Sequence, residues 1–281
     1  MAVVDVPAAA GTRYEPVRRP PVVWAFLDAI VLARRSLLET IRLPELIVFV
    51  AIQPIMFVLL FRYVFGGAIH VPGGQYVNFL MPGIFVQTVA FGGVTTGIGL
   101  AQDMQRGLID RFRSLPMSSS ALLTGRTLAD LGRNLFTVVI MLIVGFLVGF
   151  RPQGTVLEFL LGILVLMGFS FAFSWISAFI GLMVRSVEAA QSGGFIWLFP
   201  LTFASSAFVP VDTMPSWLQG FARHNPVSVL ADALRGLFHV NPALTTADTR
   251  WALIQSALWI AGILIVFVPI SVIRFRRTTA R

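Results

Sequence analysis

The groups in this 281-residue chain that could do chemistry are few: 13 carboxylates, 3 histidines and 21 basic residues, every one of them an arginine. There is no cysteine, so disulfides, thiolate metal sites and thiol nucleophiles are excluded. A phosphate-binding loop of the G-x-x-x-x-G-K-[ST] kind needs its lysine to reach the β and γ phosphates. Without a lysine, this chain does not hydrolyse ATP by that mechanism, and any ATP dependence must come from another polypeptide. His70, His224 and His239 fall in loops and lack the H-E-x-x-H spacing of a zinc protease. No G-x-S-x-G elbow occurs, and no pair of aspartates faces the interior of an apolar run. An enzyme has no catalytic constellation to stand on here.

The elements that must position these groups are membrane helices. The chain is 57% hydrophobic and 12% charged, with mean hydropathy +0.84, far from an ordinary soluble domain. Six runs approach the ~20 residues a helix needs to cross hydrocarbon. They are Leu46 to Phe65, Phe79 to Leu100, Ala129 to Phe150, Val156 to Val184, Gly193 to Val209 and Trp251 to Ile273. Runs such as IMLIVGFLVGF do not alternate apolar with polar, which argues against the strands of a closed barrel. The expected fold is an all-α integral membrane protein with six transmembrane helices over residues 44–273.

Arginine placement gives the orientation. Sixteen of the 21 fall on the side that carries both chain ends and the second loop, against five on the other, so the positive-inside rule puts both termini in the cytoplasm. The net charge of +8 then reflects topology and attraction to anionic lipid headgroups, and needs no nucleic acid. Residues 1–22 lack an apolar core followed by a cleavage site and are expected to form a retained, flexible cytoplasmic tail. Residues 274–281 form the second cytoplasmic tail.

Ionisable groups are scarce inside the runs. Arg62, Asp130, Arg133 and Glu158 fall near run ends, where they can snorkel or pair. Arg126 with Asp130 at i, i+4 and Asp130 with Arg133 at i, i+3 suit a small ladder of interfacial ion pairs. Deeper positions hold neutral polar residues. Gln53, Gln87, Thr88, Thr95 and Ser205, with the aromatic Phe91, are candidates for a substrate path, although most polar residues at such depths make helix-packing contacts.

Between the second and third runs, RGLIDRFRSLPMSSSALLTGR is more structured than a turn requires. Leu108, Phe112 and Leu115 fall at i, i+4 and i+7, so a short helix would carry one apolar face and display Asp110, Arg111 and Arg113 elsewhere. Pro116 ends it by pushing the preceding residue out of the helical region. Such a helix either docks on a partner or lies on the membrane surface. Upstream, Val23 to Leu43 predicts an interfacial helix, with Val23, Phe26, Ile30, Leu37 and Ile41 on one side and Asp28, Arg35, Glu39 and Arg42 opposite. On the outer side, Pro215 to Ala222 predicts a short amphipathic helix. Asn225 and Pro226 then supply an N-cap and first-turn proline to a second. This hairpin either seals the bundle or gates it.

Taken together, the chain resembles the membrane subunit of type-2 ABC exporters, and within them the daunorubicin and doxorubicin resistance permeases. The likeness rests on RGLIDRFRSLPMSSSALLTGR with TLADLGRN, on GGFIWLFPLTFASSAFVPVDTMPSWLQ and on HNPVSVLADALRG. The resemblance implies that residues 107–115 are a coupling helix seated in a groove of a nucleotide-binding subunit. Arg106, Gly107, Leu108, Asp110, Arg111, Phe112, Arg113, Leu115 and Pro116 would form that interface. It further implies that residues 23–43 are a connecting helix and that residues 212–238 form an outer helical hairpin. No cofactor is expected on this chain, ATP and magnesium being held by the partner. Expected partners are two ATPase copies, a second permease subunit, identical or homologous, and membrane lipid. The expected location is the bacterial cytoplasmic membrane. An ion-gradient-driven secondary transporter and a membrane-embedded hydrolase are the competing readings; the first should show intramembrane acids or broken inverted repeats.

Overall fold

Apolar residues on all sides of a helix leave it no aqueous face, and in lipid the backbone must satisfy its own hydrogen bonds, so long helices are the expected outcome. A computed structural model describes residues 44–69, 71, 75–106, 119–241 and 244–279, and among them every regular element is helical. The elements are α1 (Pro44–Leu59), continued by a π-helical turn (Leu60–Phe65), α2 (Tyr76–Gln105), α3 (Ser119–Leu147), α4 (Val156–Met183), α5 (Val187–Phe203), a 3₁₀ turn (Val211–Thr213), α6 (Ser216–His224), α7 (Pro226–Leu237) and α8 (Thr246–Thr279). The interfacial helix expected at 23–43 and the coupling helix expected at 107–115 lie outside the described residues.

Four helices, α2, α3, α4 and α8, are long and apolar enough to cross a membrane. The protein is a multi-pass membrane protein. The apolar stretch of α1 and its π turn is shorter, as is α5. Third-run boundaries move most: α3 starts at Ser119, ten residues before Ala129, because SSALLTGRTL is amphipathic and its apolar residues do not raise the local hydropathy. Helix α8 likewise continues past Ile273 to Thr279.

Local chemistry fixes the ends. Thr155 and Glu158 form a reciprocal capping box at α4, Ser186 accepts from the Ala189 N–H at α5, and Asn225 accepts from the Val227 N–H at α7 with Pro226 behind it. Thr245 and Asp248 repeat the box at α8.

Helix α2 is the central column. It is buried along most of its length and packs most extensively on α4, while α8 keeps most of its surface at the periphery. Lipid is as apolar as leucine, so close fit rather than water exclusion must hold α2 to α4. Gly97 and Gly181 make that fit possible. A Cβ on Gly97 would strike the Ser177 carbonyl, and one on Gly181 would strike the Gly97 carbonyl. Helices α6 and α7 form a hairpin whose tip reaches the end of α5, where Asn225 Nδ2 donates to the carbonyls of Leu201 at 2.6 Å and Ala204 at 3.1 Å.

Candidate functional site

Two phenylalanine stripes, each at i, i+4 and i+8, determine what lies between α1, α2 and α5. Phe57, Phe61 and Phe65 run along α1 and its π turn, with ring centroids 6.1 and 5.3 Å apart. Phe195, Phe199 and Phe203 run along α5, at 5.6 and 5.8 Å. They converge on Phe208, whose ring lies 4.5 Å from Phe61 and 5.3 Å from Phe203. At the other end Phe91 of α2 meets Phe195 at 5.9 Å and Phe199 edge-on at 5.3 Å. Offset and edge-to-face pairs at these separations are the favoured aromatic arrangements.

Where the stripes diverge below Phe91 they leave a cavity of about 290 Å³. Its wall comprises Gln53, Pro54 and Phe57 from α1, Gln87, Thr88, Phe91, Gly92, Val94, Thr95 and Ile98 from α2, Asn134 and Thr137 from α3, and Phe195 from α5. Five of the six residues read from sequence as a substrate path, Gln53, Gln87, Thr88, Phe91 and Thr95, share this wall. Ser205 does not. It is fully buried beyond the end of α5, donating to the Thr202 carbonyl and accepting from the Ala207 N–H. Phe57, Asn134, Thr137 and Phe195 were not singled out from sequence; the four-residue phenylalanine spacing, and the placing of Asn134 and Thr137 one turn beyond Asp130 and Arg133, are the signals that could have found them.

A polar band backs the wall. Asp130 is buried and accepts from the Thr96 hydroxyl, and Arg133 Nη1 lies 3.1 Å from Asp130 Oδ1 and donates to Thr95 Oγ1 at 3.2 Å. Asn134 Nδ2 donates to Ser170 Oγ at 2.7 Å, joining α3 to α4. Of the two pairs expected along α3, Asp130 with Arg133 forms, whereas Arg126 pairs across to Asp103 of α2 instead of with Asp130. Asp130 and Arg133 stand eleven and fourteen residues inside α3, deeper than hydropathy alone suggests. Arg106 caps the end of α2, its N–H bonded to the Gln102 carbonyl, and is exposed. Gly107, Leu108, Asp110, Arg111, Phe112, Arg113, Leu115 and Pro116 lie outside the described residues.

Arg235, on the second helix of the outer hairpin, was not singled out from sequence, yet it is the largest fully buried side chain among the described residues. Its guanidinium donates to the carbonyls of Phe79, Ser206 and Ala207, to Ser206 Oγ and to Asp232 Oδ1, and lies 3.6 Å from the Phe79 ring centroid. This knot pins α7 to α2 and to the segment after α5. A second cavity, of about 450 Å³, lies on the other side of α5, among Trp197, Trp259, Phe173, Phe221 and Phe267, with His224 and Asn225 as its polar members.

The sequence pattern of the ABC-2 type transporters runs through residues 28–239, most of the chain and every wall of the cavity. The chain belongs to the ABC-2 type transporter family. This ABC-2 chain is 35% identical over 246 residues to the daunorubicin resistance ABC transporter permease protein DrrB1 of Streptomyces coeruleorubidus, covering 88% of this chain and 85% of that one. It is 24% identical over 257 residues to the doxorubicin resistance ABC transporter permease protein DrrB of Mycobacterium tuberculosis, covering 91% and 88%. Membership implies an ATP-binding subunit as partner for this ABC-2 chain.

Proposed function

We propose that this chain is the permease subunit of an ATP-binding cassette exporter that moves a hydrophobic or amphiphilic compound, such as an anthracycline-like drug or a lipid-like metabolite, out across the bacterial cytoplasmic membrane. The observation that carries this reading is the apolar cavity opening onto a continuous series of phenylalanine rings from Phe91 to Phe208. Permeases conferring daunorubicin and doxorubicin resistance among its relatives support the cargo class. In this reading α1 with its π turn and α5 also cross the membrane, giving six spans with both termini cytoplasmic. Two permease subunits, identical or homologous, sit on two ATPase subunits, which hold ATP and magnesium. The α6–α7 hairpin covers the outer end.

The route from motor to cavity follows the chain. Residues 107–115 connect α2 to α3 and dock on the ATPase, with Leu108, Phe112 and Leu115 buried in its groove and Arg106, Asp110, Arg111 and Arg113 setting orientation and association rate. Movement there displaces the adjoining ends of α2 and α3, which Arg126–Asp103, Thr96–Asp130 and Arg133–Thr95 tie together. Because Thr95 belongs to the cavity wall, the displacement reaches the cargo directly.

Two experiments test this. Leu108→Glu with Phe112→Glu should abolish export and co-purification with the ATPase; a double variant that retained both would remove the coupling assignment. Phe91→Ala should lower cargo affinity without loss of ATPase binding. One observation favours a second reading: Asp130 is a buried acid inside α3, of the kind a proton-coupled carrier uses. Vesicles containing this chain alone, given a proton gradient, should show no uptake. Uptake under those conditions would favour the carrier.

A further inference from the structure

Building on the reading of the cavity as the cargo site, we infer that Gln53 is its specificity-determining residue, and that the cavity favours flat aromatic compounds carrying a hydrogen-bond donor and acceptor side by side on one edge. The wall has six neutral polar side chains. Four of them, Gln87, Thr88, Asn134 and Thr137, are buried and present little surface to a ligand. Asn134 is moreover bonded to Ser170, and Thr137 to the Arg133 carbonyl. The Thr95 hydroxyl is used twice, donating to the Gly92 carbonyl and accepting from Arg133. Gln53 differs on both counts: it is exposed, and its side chain has no hydrogen-bond partner among the described residues.

Depth makes that carboxamide consequential. Gln53 is the tenth residue of α1. At ~1.5 Å per residue it stands about 14 Å along the helix, which on the reading that α1 crosses the membrane is near the middle of ~30 Å of hydrocarbon. Lipid tails offer no partner at that level, and an amide left unpaired in an apolar medium costs free energy that a complementary ligand recovers. A carboxamide accepts at Oε1 and donates at Nε2, so it answers a donor and an acceptor presented together. Phe57, one turn further along α1, and Phe91 and Phe195 of the same wall supply ring faces for the flat part of the ligand. A hydroxyl, an ammonium or an amide N–H serves equally as the donor, so selection is by hydrogen-bond pattern and not by charge.

The test uses anthracene-2-carboxamide, whose amide presents donor and acceptor together, and its N,N-dimethyl derivative, which keeps the acceptor and lacks the donor. Binding to the full chain in lipid nanodiscs is corrected for partitioning into protein-free nanodiscs. The primary amide should bind about fivefold to tenfold tighter, the scale of one net hydrogen bond. In Gln53→Met, close in shape and without the amide, the two compounds should bind alike. Gln53→Leu, a residue at home in a membrane helix, repeats the test if the methionine variant fails to fold. The preference should survive in Gln87→Met, whose amide is buried. Equal affinities in the wild type, a preference that survives loss of the Gln53 amide, or one that disappears in Gln87→Met would each overturn the inference while leaving the cavity as cargo site. A Gln53→Met chain that kept the preference but no longer self-associated would overturn it too, assigning the carboxamide to the second permease subunit. Phe91→Ala separates the two claims: it should weaken both compounds and leave their ratio unchanged. Binding of both that ignores Phe91→Ala, or no binding of either by the wild type, would overturn the cargo-site reading and this inference together.

Discussion

Two arginines of this bundle sit among buried polar groups, and they are served very differently. Arg235 is completely enclosed, with five hydrogen bonds and an aromatic face beneath it. Arg133 keeps about a quarter of its side chain accessible and makes one ion pair and one hydrogen bond, the latter to a residue of the cavity wall. A saturated cation in a dry site has nowhere better to go, whereas a sparsely bonded one can exchange partners at small cost. The contrast separates a densely bonded frame, made of α7, the start of α2 and the segment after α5, from a more sparsely bonded region beside the cavity.

The most severe way to probe this contrast is at the frame. Arg235→Met should cost about 3–5 kcal/mol, because the carbonyls of Phe79, Ser206 and Ala207 lose their donor inside the protein. Thermal unfolding followed by fluorescence-detected size exclusion would show this as loss of the monodisperse peak, and a variant as stable as wild type would end the distinction. Next comes the α2–α4 crossing. Gly97→Ala should cost about 1–3 kcal/mol because its Cβ meets backbone, while Gly220→Ala, with open space at its Cβ, should be silent in the same assay.

Asp130→Asn addresses the sparsely bonded side. It retains an acceptor for Thr96 but loses the charge facing Arg133, so stability should fall by about 1–2 kcal/mol, while export rate falls more than ATPase binding. Equal losses in stability and transport would place this pair in the frame too. The smallest effect is expected from Ser205→Ala, about 1 kcal/mol because the buried Ala207 N–H loses its acceptor, with cargo affinity unchanged in equilibrium binding, since Ser205 lies away from the cavity.

Much of this was legible in the amino-acid order, and what was not shares one cause. Hydropathy locates α2, α4 and α8 because each is apolar over more than the width of a bilayer, and the caps at Asn225 and Pro226 mark α7 from local chemistry alone. Gln87, Thr88, Phe91 and Thr95 fall together because they share one helix. Their companions Asn134 and Phe195 come from other helices, and nothing in a local period says which helix will face which. Arg235 is the clearest case. Asp232 and Arg235 stand at i, i+3 on a short amphipathic helix, a spacing that does not by itself separate a solvated pair from a buried one, and only the fold brings Phe79 beneath the guanidinium. Asp130 misleads for the opposite reason: it stands at the edge of an apolar run, but the helix extends a further eleven residues before it.

The bond between Arg235 and the Phe79 carbonyl joins residues 156 positions apart, and the acceptor comes first in the chain. Synthesis from the amino terminus therefore delivers α2, and later the Ser206 and Ala207 carbonyls, before the guanidinium emerges. The charge is buried only when these partners have already been made. A circularly permuted gene that placed residues 216–237 ahead of 76–105 would reverse that order, and would leave the guanidinium with Asp232 as its partner until the carbonyls were made.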